Sequence, residues 1–143
     1  LGKRFDYAWL AAWSRVLLGT LAVVRGRLAE ARALLEEGLD LSLAAHSTRS
    51  VTLCLAAFAR LALVEGDAER SALLAGAAGG LRRRVGLRSL VVLRQGEAEL
   101  VAQVRQALGA DRFEEVFAAG ARLTQQEAVT AVRDRRGAGA AAS

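Results

Sequence analysis

A chain of 143 residues that is 53% hydrophobic is long enough to bury one domain-sized core and too apolar to stay disordered. Its net charge of +5 is almost all Arg, since Lys3 is the single Lys. A lone Cys54 and a lone His46 exclude an internal disulfide and a Cys/His metal site.

Ala, Gly, Arg, Leu and Val dominate, as a GC-rich genome dictates, so Arg content alone says little about function. Single-cysteine usage fits a reducing, cytoplasmic setting. The absence of Met and the opening Leu1-Gly2-Lys3-Arg4 lead us to expect a piece of a longer protein. No Pro occurs, where about seven are ordinary for this length, so helices can run without their commonest breaker.

About seven helices are predicted. The first covers residues 5–25, with Trp9, Ala12, Trp13, Val16, Leu17, Leu21 and Val24 recurring at three and four. Residues 7–24 are the nearest thing to a membrane span. Arg15 near the centre of that run costs about 2.5–3.5 kcal/mol in a bilayer, and no signal-peptide cleavage site follows. Gly26 permits a tight turn into a second helix over 28–44, with Leu28, Ala31, Leu35 and Leu39 inward.

Ser47 or Ser50 can cap a third helix over 51–65, apolar almost all round and therefore covered on two sides. Gly66-Asp67 turns into a fourth helix over 68–78, where Ala72, Ala75, Gly76 and Gly79 are small enough for close helix approach. Gly79-Gly80 and Gly86 then punctuate a basic run. Residues 87–94 fit a short helix or an extended loop. Helices follow over 97–108, over 112–119 with Asp111 as N-cap, and from the Thr124–Glu127 capping box to Arg135. Residues 137–143 read as a flexible tail.

One repeat organises this pattern. Leu21-Ala22-x-Val24-x-Gly26 returns 40 residues later as Leu61-Ala62-x-Val64-x-Gly66. Such a period marks stacked helical hairpins. We therefore predict an all-α fold: two hairpins in residues 1–80, a divergent helical bundle in 81–136, and the tail. The period is expected to lapse beyond Gly80.

Catalysis is not expected. Glu36-Glu37 and Glu114-Glu115 are sequence neighbours, and side chains one apart on a helix diverge by about 100°. The glycines at 80 and 86 lack the Lys-Ser/Thr and preceding strand of a phosphate loop. Cys54 sits in the most apolar helix as a small hydrophobe. No cofactor and no metal are called for.

Binding residues are more promising. Arg15 and Arg60 are polar interruptions in apolar helices and, with Tyr7, are candidates for a partner-binding groove lined by the first helix of each hairpin. Trp9 and Trp13, four apart on one face, either pack on Leu35 and Leu39 of the second helix or face a preceding repeat, in which case they would here be exposed or buried by self-association. Arg82, Arg83, Arg84, Arg88 and Arg94 form a basic cluster. It reads as a solvated face, then as a contact for another domain. A nucleic-acid surface comes last, because no aromatic lies among the arginines for base stacking.

Leu18-Gly19, Ala22, Gly26 and Ala31, and again Phe58-Ala59, Ala62, Gly66, Ser71 and Ala78, resemble the small and apolar positions of tetratricopeptide repeats. The period is longer than that family's 34, and its terminal Pro is absent. Over residues 15–136 a second resemblance is carried by Gly26-Arg27-Leu28-Ala29-Glu30-Ala31, Gly66-Asp67, Leu74-Ala75-Gly76-Ala77 and Leu108-Gly109-Ala110-Asp111-Arg112-Phe113. Ala118-Ala119-Gly120 and Leu123-Thr124-Gln125-Gln126-Glu127-Ala128 complete it. Together these resemble the C-terminal helical region of large actinobacterial LuxR-type regulators that carry an AAA-like signalling ATPase. The resemblance implies a right-handed stack that serves as a sensor or partner-binding arm in transcription regulation. Its partners are a protein, a peptide or other domains of the parent, and DNA is reached only through a separate domain. Homodimerisation is the alternative, direct nucleic-acid contact a weaker one, and no membrane partner is expected.

Overall fold

Apolar residues at helical spacing, uninterrupted by proline, commit the chain to helices, and a computed structural model shows no other regular element among the described residues. The structure describes residues 2–88 and 91–134, apart from the side chains of 2–6, 91 and 92. The tail expected over 137–143 lies outside this range. The helices are α1 Gly2–Val24, α2 Leu28–Ala44, α3 Thr48–Val64, α4 Ala68–Arg84, α5 Val91–Leu108, α6 Ala110–Ala121 and α7 Gln125–Arg133. α1 pairs with α2, α3 with α4, and α5 more loosely with α6, while α7 folds back onto α3 and α4.

The connections explain the repeat. At the end of α1, the Gly26 N–H donates to Val23 O and the Arg27 N–H to Ala22 O, with Gly26 left-handed at φ 76°. This is a Schellman turn. The same pair of bonds closes α2 at His46 and Ser47, α3 at Gly66 and Asp67, and α4 at Gly86 and Leu87. The positive-φ residues that close these four helices are 26, 46, 66 and 86, so the underlying unit is 20 residues. That unit is a 17-residue helix plus a three-residue joint in α2, α3 and α4. The carbonyls of Leu21, Leu41, Leu61 and Leu81 each accept the N–H that precedes the left-handed residue. Ser47 and Asp67 also cap the next helix through their side chains, accepting from the Ser50 and Arg70 N–H groups.

The core runs along α2, α3 and α4. Leu35, Leu55, Leu61 and Leu74 are wholly buried and Leu39 nearly so, each contributing about 1.5–3 kcal/mol by leaving water. α3 is covered on several sides, by α1, α2, α4, α5 and α7. Buried hydroxyls are satisfied: Ser42 donates within α2 to Gly38 O at 2.8 Å, and Ser71 of α4 donates across to Ala59 O of α3 at 2.7 Å. Among the described residues no buried side-chain nitrogen or oxygen lacks a partner. Ion pairs tie separate helices, Arg32 of α2 to Glu65 at the end of α3 at 2.6 Å and Arg133 of α7 to Asp40 of α2 at 2.7 Å.

Three sequence expectations change. α4 does not stop at residue 78. It continues to Arg84, so Gly79-Gly80 and the division expected at residue 80 fall inside it. Those glycines serve a crossing. An added Cβ on Gly80 would lie 2.3 Å from Ala121 O, one on Gly76 2.2 Å from Phe117 O, and one on Gly120 2.1 Å from Leu73 O. α4 and α6 therefore touch backbone to backbone, with Gly80 rather than Gly79 at the contact. Asp111 is not an N-cap: Gly109, at φ 84°, takes that position and Asp111 lies in the first turn of α6. Finally, residues 91–94 are the start of α5. The capping box at Thr124 and Glu127 is present as expected.

Candidate binding groove

α1, α3 and α5, the first helices of the three hairpins, line one shared groove. Its walls are Trp13, Val16, Leu17 and Thr20 from α1, then Leu53, Ala56, Ala57 and Arg60 from α3, then Leu93, Gly96, Glu97 and Leu100 from α5. These three sets are the same four positions shifted by 40 residues each time. The period therefore does not lapse beyond Gly80. It persists in three dimensions while the residue types change, from Trp13 to Leu53 to Leu93 and from Thr20 to Arg60 to Leu100.

The groove is mostly apolar and encloses about 200 Å³. Its polar members are engaged. Arg60 Nη2 donates to Gly96 O at 3.3 Å, tying α3 to α5, and Glu97 accepts from Arg82 at 2.9 Å. At its α1 edge Trp13 stacks on Trp9, with ring centroids 5.3 Å apart.

The expected site residues divide accordingly. Arg60 and Trp13 line the groove. Arg15 does not: it projects toward α2 and pairs with Glu37 at 2.9 Å. Tyr7 is not part of the lining and is 76% exposed. Trp9 and Trp13 are both half-buried, so the outward face of α1 belongs to other residues, Leu10, Leu17, Leu18, Leu21 and Val24. Leu53, Ala56, Leu93 and Leu100 were missed by sequence reasoning. Their spacing of three and four was visible, but nothing in their chemistry separated groove from core.

The basic cluster is not a uniform strip. Arg82 is taken up by Glu97, and Arg84 donates to Leu123 O. Arg83 and Arg88 are exposed. Arg82, Arg83 and Arg94 border a second concavity with Glu97, Val101 and Phe117. The run Arg82-Arg83-Arg84 also sits in the last turn of α4, where positive charge meets the carbonyl end of the helix.

A polar hollow of about 500 Å³ lies between α4, α6 and α7. Its charges satisfy one another: Arg112 pairs with Glu69 at 2.6 Å and with Glu115 at 3.2 Å, and Arg70 donates to Val132 O at 2.6 Å. The Arg112 hydrogen bond holds the Glu69 carboxyl below its ordinary range. Burial pushes the Cys54 thiol up to about 11, against a smaller opposing effect of its contact with Ser42, and the side chain is wholly buried. It is a packing group, as its helix predicts, and not a nucleophile. Among the described residues no three His, Cys, Asp or Glu side chains converge as metal ligands. The stretch Tyr7–Val24 is long and apolar enough by composition to cross a membrane, with 28% of it buried in the fold.

No protein-family model, curated protein or solved structure matches the chain.

Proposed function

We propose that this chain is a non-catalytic protein-interaction region, and that its binding surface is the groove of α1, α3 and α5. One observation carries this reading: three successive hairpins contribute the same four positions to a single apolar channel. Size selects among occupants. At about 200 Å³ the groove falls below the roughly 300–1,000 Å³ of drug-sized ligand sites. It suits one or two anchoring side chains of a protein or peptide better than a free small effector.

The wider setting is a cytoplasmic, actinobacterial LuxR-type regulator with an AAA-like ATPase, where partner binding to this arm repositions attached domains. Support for it is the resemblance over residues 15–136 alone. Several residues that carry the resemblance have structural duties here. Gly120 allows the α4–α6 contact, and Thr124 with Glu127 caps α7. They make the resemblance one of architecture first.

Helical peptides selected by display on the 143-residue chain test the groove. Ala56→Arg should weaken the selected peptides at least about tenfold, about 1.4 kcal/mol, with helix content unchanged by circular dichroism. Peptides indifferent to that change would sink the groove. The regulator setting fails if the open reading frame around this segment encodes neither a nucleotide-binding nor a helix-turn-helix domain.

A further inference from the structure

The outward face of α1 carries Tyr7, Leu10, Ser14, Leu17, Leu21 and Val24, spaced three, four, three, four and three. That is the a/d spacing of a two-helix seam. The five apolar members are 45–76% exposed. Nothing in the seam is charged. The single charged residue between Tyr7 and Val24 is Arg15, which lies off the seam and pairs with Glu37. Ser14 brings no unmet polar group, because its hydroxyl already donates to Leu10 O at 2.8 Å.

The 40-residue register shows that the equivalent face on α3 is covered. Val24 corresponds to the exposed Val64, but Leu10, Ser14, Leu17 and Leu21 correspond to Ser50, Cys54, Ala57 and Leu61 on α3, which are 2%, 0%, 8% and 0% exposed. Those residues are covered within the stack, where Cys54 Sγ lies 3.6 Å from Ser42 Oγ of α2. On α1 the same face has no helix over it.

We propose that a second copy of this chain covers it, in an isologous dimer joined α1 to α1. Two observations favour a copy placed this way. Among the described residues the large exposed apolar side chains lie on α1, apart from Val64 and Val85. An exposed apolar face confined in this way to one helix can pair with its own copy, and a patch that meets itself closes the assembly. The area is also sufficient. Six half-exposed side chains per copy, doubled, remove on the order of 1,000 Å² from water, the threshold for specific association. Leu17 belongs to both the seam and the groove wall, but Leu10 and Leu21 do not line the groove, so variants at those two positions test this surface apart from the groove.

Sedimentation equilibrium of the 143-residue chain tests it. A reversible monomer–dimer equilibrium is expected. Leu21→Glu and, separately, Leu10→Glu should each raise the dissociation constant at least about 100-fold, the effect of an unpaired charge buried in an interface. Helix content should hold in both, since each side chain is about half exposed in the monomer. Val64→Glu, an exposed change off α1, should leave the dimer intact. A monomer at millimolar concentration overturns the proposal, and so does a dimer that both glutamate variants leave intact.

Discussion

The α1–α4 stack and the α4–α6 crossing solve the same packing problem in opposite ways. In the stack, helices are held by side chains such as Leu35, Leu39, Leu55 and Leu61 that fill the space between axes. In the crossing, glycines at 76, 80 and 120 remove side chains so that main chains meet. The first arrangement tolerates sequence change as long as volume is kept. The second tolerates none at the contact, because a methyl group would have to displace backbone.

The contrast can be broken from either side. Gly120→Val should cost about 3 kcal/mol or more, read as a lower urea midpoint. An unchanged midpoint would show that α6 does not dock on α4 as described. Leu35→Ala, within the stack, should cost about 2–5 kcal/mol and respond to refilling with Met. At the joints the effects shrink. Gly66→Ala forces a left-handed Cβ, worth about 1–2 kcal/mol, and thermal unfolding should register it. His46→Gly inverts the sign: relief of about 1–2 kcal/mol of left-handed strain outweighs roughly 0.5–1 kcal/mol of added chain entropy. The variant should be more stable by up to about 1.5 kcal/mol. A destabilised His46→Gly would mean that the imidazole itself holds the joint.

The all-helical stack was legible because apolar spacing and the absence of proline are local signals. The 20-residue unit was not. Sequence reading looks for glycine at a left-handed position, and His46 hides one of the four joints; the Leu-Ala-x-Val-x-Gly motif occurs only at 21–26 and 61–66, so the period read as 40. α4 was cut short for the converse reason. Gly79-Gly80 looks like punctuation, and nothing local reveals the α6 backbone that lies across it. The stripe on α1 was also misjudged. Leu17, Leu21 and Val24 share its spacing with Ala12 and Val16, but only the latter two face the core. As for the groove, Arg60 was legible as a polar break in an apolar helix. Arg15 had the same signature and a different fate, because its partner Glu37 lies on the neighbouring helix. Pairing across helices is not written in either one.

α4 packs against α3, α5, α6 and α7, and its join to α6 is made of main-chain atoms. Side chains relieve stress by changing rotamer; abutting backbones have no such freedom. In mechanical terms the crossing is a weld and not a hinge. A displacement of α6 therefore meets no side-chain slack at α4, which in turn packs on α3, the central wall of the groove.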